Sequence, residues 1–228
     1  MFFPERIHIR PGDRVLEVGP GGTPHPRATV LLERRFTEQE AAAQRGNVPP
    51  PKTDQEVVLY DGGRFPFDDR SFDYVICSHV LEHVEDVPAF VAELCRVASR
   101  GYLEFPTVFY EYIYNFRVHR NLLGFADGEL RWMDKSRLPF AEFLPVQTFF
   151  YNALCQGYDE IVVSLREYLI QGFEWAAPLR VREVTELAEL VLVDKKVVFP
   201  ANPLKPPPVR SSELLKELLR RIRRRLFS

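Results

Sequence analysis

An α/β fold built on a mostly parallel sheet follows from three features of the sequence. Short apolar, β-branched runs recur at residues 14–18, 28–33, 57–60, 72–78 and 101–105, each with the length of a buried strand. The first run breaks directly into the turn Gly19-Pro20-Gly21-Gly22, the point in an open α/β sheet where a ligand meets a strand's carboxyl end. Residues 84–98 carry apolar side chains at helical spacing (Val87, Phe90, Val91, Leu94, Val97), which supplies the crossover a parallel pair of strands needs.

Residues 1–12 lead in and end at the turn Pro11-Gly12-Asp13. Behind the glycines, Pro24-His25-Pro26 denies a helix its usual start, because proline lacks the backbone donor and fixes φ. Strand two closes on Glu33. Thr37 followed by Glu40 has capping-box spacing and predicts a short helix over 37–44. The Pro49-Pro50-Pro51 run makes 46–52 a loop, and strand three ends at Asp61-Gly62-Gly63. Strand four runs into the helix 84–98, and Pro106 closes strand five.

From Thr107 the chain turns aromatic, with Tyr110, Tyr112, Tyr114, Phe116, Phe149 and Phe150 among others. Residues 107–150 read as an insertion over the sheet's carboxyl edge, with a hairpin turn at Ala126-Asp127-Gly128 between 118–124 and 129–133. The insertion serves equally as an accessory core layer or as a pocket lining. Helices are expected at 146–155 and 159–165, and a final antiparallel pair of strands at 168–175 and 179–184. A small hairpin is a further option within 187–199. Residues 1–199 thus form the main domain, 200–210 a proline-rich linker, and 211–228 a basic amphipathic helix. That helix holds six Lys/Arg against two Glu, a pattern suited to peripheral contact with an anionic membrane surface, to docking on its own domain or to a solvated face.

A net charge of −2 gives no electrostatic call for nucleic acid. Cys77, Cys95 and Cys155 form no Cys-x-x-Cys pair, so neither a disulfide framework nor a structural zinc site is indicated. The N-terminus lacks the pattern of a signal peptide, and no apolar run approaches the roughly 20 residues of a membrane span. A cytoplasmic setting is the expectation.

The glycine turn discriminates between nucleotides. A dinucleotide fingerprint wants a third glycine where Pro24 stands, and a ribose-binding acid about twenty residues on, whereas Glu33 lies fourteen after Gly19. A triphosphate loop needs Gly-Lys-Ser/Thr, which is absent. An adenosine without phosphates remains. Val15-Leu16-Glu17-Val18-Gly19-Pro20-Gly21-Gly22 resembles motif I of the class I S-adenosylmethionine-dependent methyltransferases. The stretch from Phe65-Pro66-Phe67 through Ser71-Phe72-Asp73 to Leu81-Glu82-His83 resembles their type 11 branch. Together these cover roughly residues 13–106.

The resemblance implies a Rossmann-like sheet with helices on both faces, S-adenosylmethionine as cofactor, and methyl transfer to a small-molecule, glycan or lipid acceptor. It implies that Gly19, Pro20, Gly21 and Gly22 pass under the cofactor's methionine part while Glu17 orients the loop or the amino group. It gives Glu33 the ribose hydroxyls, Asp61 the adenine amino group with Gly62 beside it, and Ser78, His79 and Val80 the cofactor's flank. The family's helix between motif I and strand two is shortened here, so Arg27 or His25 would substitute for its contacts.

His79-Val80-Leu81-Glu82-His83 also spells His-x-x-Glu-His, a zinc-protease pattern. That reading requires His79 inside a helix and a third ligand; a strand end at Ser78 places His79 in a turn, so no metal is expected. His83 is expected to bond backbone at the helix start, and His8 and His119 to be surface or packing residues. His79, His83, Glu104 and Tyr110 are candidates for a catalytic base, with none assigned, and Glu104 is the preferred pocket residue. The rival reading is a non-catalytic protein of the same fold that binds a membrane or a protein partner.

Overall fold

The computed structural model describes residues 2–37, 40, 53–139 and 144–191, all within the first of two units, Met1–Leu192 and Val193–Ser228. The expected linker, the C-terminal helix, the loop 46–52, most of the helix 37–44 and most of the hairpin in 187–199 lie outside the described residues. The capping box does appear: Thr37 N–H donates to Glu40 Oε2 at 2.9 Å, and Glu40 N–H to Thr37 Oγ1 at 3.2 Å.

The five apolar runs form β1 (Val15–Val18), β2 (Val30–Arg34), β3 (Glu56–Tyr60), β4 (Tyr74–Ser78) and β5 (Arg100–Pro106). With β8 (Ile170–Ala176) they make a sheet in the order β3-β2-β1-β4-β5-β8 among the described residues. β1 to β5 are parallel; β8 runs antiparallel to β5, Leu103 opposite Phe173. The order reverses between β1 and β4, which makes their carboxyl ends the topological switch point.

Both faces of the sheet are covered, because β1, β4 and β5 are buried along nearly their whole length. On one face Leu16, Leu32, Val75 and Leu103 meet helix α1 (Val87–Val97) through Val87, Val91 and Leu94. On the other, Val15, Tyr74, Ile76 and Tyr102 pack with Phe3, Tyr114 of α2 (Val108–Tyr114) and Leu169. This second layer also takes in α3 (Leu144–Cys155), α4 (Glu160–Ser164) and α5 (Arg166–Leu169). Much of the aromatic run is therefore core: Tyr110, Tyr114 and Phe116 belong to this layer.

Helix α1 begins later than the periodicity suggests. Asp86 caps it, accepting from Ala89 N–H at 2.8 Å, and Pro88 occupies its first turn. Residues 79–86 stay non-helical because the Glu82 carbonyl is taken by the Arg120 and Asn121 N–H groups.

The expected pairing of the last two strands is corrected. β8 joins β5, while β9 (Arg180–Glu183) runs parallel to β7 (Glu129–Asp134) in a second sheet, β6-β7-β9, with β6 Asn121–Ala126. Trp175 of β8 is buried in the main core, whereas Arg180 and Arg182 of β9 bond the Asp127 carbonyl and the Glu129 carboxylate of the β6–β7 hairpin. The hairpin turn is as expected: Asp127 and Gly128 both have positive φ, 55° and 69°, the requirement of a type I′ turn.

Gly101 is where the sheet is tightest. An added Cβ would stand 2.3 Å from the Val75 carbonyl oxygen and 2.9 Å from the Trp175 ring. Gly101→Ala is expected to destabilise by about 3 kcal/mol, as overpacking against backbone does, read as a lowered urea midpoint with unchanged m-value.

Candidate functional site

Parallel register brings the expected site residues to one edge. Val18 pairs with Leu32 on one side and Cys77 on the other, so Gly19–Gly22, Glu33 and Ser78-His79-Val80 leave neighbouring strand ends. Arg34 pairs with Tyr60, which puts Asp61 and Gly62 one strand further out.

Gly19 holds φ +64°, and its N–H donates to the Leu32 carbonyl at 2.9 Å. A Cβ there would stand 2.5 Å from Val80 Cγ2, so the turn is pressed against the residue after His79. Gly21 also has positive φ, but among the described residues nothing lies within 4 Å of where its Cβ would stand. The turn therefore presents open backbone at Gly21 and rests on a side chain at Gly19. Pro20 is half-buried and Gly22 exposed.

Glu17 is buried behind the turn and accepts the His25 N–H at 2.7 Å. It thus holds the Pro24-His25-Pro26 loop that replaces a helix between β1 and β2. Arg27 turns back to the Arg10 carbonyl. Burial pushes the Glu17 carboxyl up to about 7, partly offset by the His25 N–H. The folded state then binds more protons than the unfolded chain between about pH 4.5 and 7, so this contribution is complete below that window and lost as pH rises through it. Glu17→Gln keeps the His25 bond without the buried charge. It is expected to gain about 2 kcal/mol over wild type at pH 8 and nothing near pH 4, measured by urea unfolding at both pH values; a pH-independent difference contradicts this.

Glu33, one residue before the end of β2, is half-buried. Asp61 is exposed and bonded to Arg35 Nη1 at 3.0 and 3.2 Å, and Gly62 beside it has φ +99°. Asp61 is the site residue least drawn in to the others.

The turn after β4 is built around Glu104. Ser78 Oγ donates to its carboxylate at 2.7 Å, Tyr102 Oη at 2.7 Å, and the Phe2 and Phe3 N–H groups at 2.9 to 3.1 Å. Glu104 is 1% exposed, and despite burial these donors with His79 hold its carboxyl at about 2. The expectation of Glu104 as the preferred pocket residue is corrected: its oxygens fasten the N-terminal segment to the strand ends.

His79 sits in a turn with φ +57°. Its ring lies between Glu82 Oε1 (3.2 Å) and Glu104 Oε1 (3.4 Å). Burial opposes the charge, but the two carboxylates prevail and push the ring up to about 9, which makes it a cation rather than a base at neutral pH. Burial lowers His83, whose Nδ1 bonds the Val118 carbonyl at 3.1 Å. It does bond backbone, as expected, though outside the helix. Burial also raises the Tyr110 hydroxyl beyond a base's useful range.

His119 is a packing residue, one of the two roles expected of it: its ring stacks on Phe116 with centroids 4.8 Å apart. It is buried and bonds Glu111, itself paired with Lys135 Nζ at 2.6 Å. Lys135 also donates to the Phe116 carbonyl. Beside this network lies a cavity of about 800 Å³ lined by Val84, Phe116, His119, Asn121, Trp132 and Lys135 among others. His119 and Glu111 carry no local sequence signal, being joined to the site only through the fold of 107–135.

Residues 25–104 match the family model described as "Methyltransferase domain". The chain is 32% identical over 106 residues to a demethylmenaquinone methyltransferase of Corynebacterium efficiens, and 30% over 99 residues to one of Corynebacterium glutamicum, in each case 42% of this chain and 42% of the relative. It therefore spans less than half the length of these curated relatives. Among solved structures, the YcgJ protein from Bacillus subtilis aligns at 23% identity over 47% of this chain and 52% of that one, with TM-score 0.34. An S-adenosylmethionine-dependent methyltransferase from Mesorhizobium loti aligns at 21% over 53% and 57%, with TM-score 0.33.

Proposed function

We propose that this chain, which over residues 25–104 belongs to the type 11 branch of the class I methyltransferases, moves a methyl group from S-adenosylmethionine to a small acceptor. The observation that carries this reading is the switch-point edge, where the open turn at Gly21, Glu17 behind it, Glu33 on β2 and the His79 turn on β4 leave adjacent strand ends. These residues fit an adenosyl cofactor without phosphates. The turn offers backbone rather than a helix N-terminus, and Glu33 is an acceptor-only group suited to a ribose diol. Asp61 keeps lone pairs beyond those Arg35 occupies, enough for an exocyclic amine.

The cofactor supplies a methyl group already activated on a sulfonium. The protein's share is then alignment and exclusion of water. Val80, set against Gly19, fixes the turn's position relative to β4, and the segment around Asn121 closes over the loop after β4 by donating to the Leu81 and Val84 carbonyls at 2.9 and 2.8 Å. Residues 107–150 select the acceptor in this reading, and the cavity beside His119 is the space available to it. A demethylated quinone belongs in the acceptor panel because the curated relatives are named for one, alongside glycans, lipids and small metabolites. Membrane contact by 211–228 is part of the proposal and concerns residues outside the described ones. Among the described residues no helix is long and apolar enough to cross a membrane.

Transfer of labelled methyl from the cofactor across that panel tests the reading. Label in one acceptor, abolished by Glu33→Ala in the folded protein, supports it; cofactor binding with no acceptor labelled favours the non-catalytic reading.

A further inference from the structure

The loop after β4 and the loop before β6 place Glu82, His83 and His119 together, with one ligand atom of each within 4.8 Å of the others. Three features set this cluster apart from ordinary packing. Glu82 is fully buried, and while its Oε1 meets His79 Nδ1, its Oε2 is buried with no hydrogen-bond partner among the described residues. Leaving such an acceptor buried without a partner is costly unless something occupies it.

Both imidazoles are oriented through Nδ1. His83 Nδ1 meets the Val118 carbonyl at 3.1 Å, and His119 Nδ1 meets the Glu111 carboxylate, whose other oxygen accepts from Lys135 Nζ at 2.6 Å. A carbonyl can only accept, and so can a carboxylate. Nδ1 therefore carries the proton in each ring, and Nε2 keeps its lone pair. Histidines that ligate metals are held in this way, by a carbonyl or carboxylate behind the far nitrogen. The two loops are also stapled: Arg120 and Asn121 N–H groups donate to the Glu82 carbonyl, and Asn121 Nδ2 to the Leu81 and Val84 carbonyls. The donor set is thus preorganised by backbone contacts.

We propose that Glu82, His83 and His119 form a binding site for a divalent transition-metal ion, with His79, Glu111 and the Val118 carbonyl orienting the ligands. Two imidazoles and one carboxylate are the ligands of a zinc site that keeps a position open, and the cavity bordered by His119 and Val84 gives an oxygen ligand access to that position. The pairing differs from the His-x-x-Glu-His pattern of the sequence: His79 stands behind Glu82, and the third ligand comes from His119. The proposal does not depend on methyl transfer, and its test reads metal alone.

Full-length protein is stripped with a chelator, dialysed, and titrated with Zn2+ by calorimetry at neutral pH, with metal content measured after gel filtration. One Zn2+ per chain is expected. His83→Asn and His119→Asn are each expected to weaken binding by more than about 100-fold, beyond the effect of losing an orienting partner. His8→Asn, an exposed histidine on Glu174, is expected to bind as wild type. No stoichiometric uptake by folded wild type, or wild-type affinity in both site variants, overturns the proposal. If a variant fails to fold, Co2+-loaded wild type decides. The intense visible bands of a four- or five-coordinate site support the proposal, and the weak bands of a water-like six-coordinate ion overturn it.

Discussion

Glu104→Ala is expected to lose about 4 kcal/mol of folding stability, the scale for removing one partner from a buried charged network. The carboxylate accepts from two backbone N–H groups, a serine and a tyrosine, and it faces the His79 ring. Deleting it orphans all of them at once and leaves His79 with Glu82 as its remaining counter-charge. Glu104→Gln keeps shape and one acceptor oxygen, and about 2 kcal/mol is expected. The pH dependence separates charge from packing. With the folded carboxyl held near 2 against an ordinary 4.5, the contribution is present above about pH 4.5 and disappears as pH falls toward 2. Wild type is expected to lose about 3 kcal/mol across that window through this group, and Glu104→Gln to lack that share. Urea midpoints at pH 5 and pH 2.5 measure it; parallel losses in both proteins contradict the role given to Glu104.

Gly19→Ala carries the second large effect, and it falls on binding as well as stability. The position needs a left-handed φ, which costs an L-residue about 1–2 kcal/mol, and a Cβ 2.5 Å from Val80 Cγ2 must displace the turn or the valine. Binding of S-adenosylhomocysteine is expected to weaken at least tenfold, roughly 1.4 kcal/mol, because the turn must move as a unit. Val80→Ala removes the clashing methyl, so the double variant is expected to recover part of the affinity while keeping the φ penalty. A double-mutant cycle by calorimetry reads this coupling. Strictly additive losses contradict a turn positioned by Val80.

Strands one, two, four and five were legible because buried parallel strands spell themselves as short apolar runs between turn residues, and β3 carries such a run although Val57 and Leu59 are exposed; the carboxyl-edge residues follow from where the runs end. The capping box at Thr37 and the type I′ turn at Asp127-Gly128 were legible for the same reason: each is decided within four residues. Partnerships settled by distant chain were not. Periodicity marks β8 and β9 as strands but does not say that β8 seeks β5 while β9 follows the hairpin. Glu104 looked like a free acid at a strand end because its donors Phe2 and Phe3 lie about a hundred residues upstream. His119 carried no pattern, since Glu111, Lys135 and the loop after β4 reach it only through folding. Glu33 and Asp61 looked equivalent as acids ending adjacent strands, yet Asp61 is exposed and tied to Arg35.

The proposed function requires the β1 turn and the adjoining strand ends to hold an adenosyl cofactor. Calorimetric titration of the folded full-length chain with S-adenosylhomocysteine, with NAD as the comparison ligand, tests it most directly. One binding event per chain is expected for S-adenosylhomocysteine, none for NAD, and at least tenfold weaker binding in Glu33→Ala, roughly 1.4 kcal/mol. Binding of neither ligand, or an S-adenosylhomocysteine affinity unchanged in Glu33→Ala and Asp61→Ala, would contradict it.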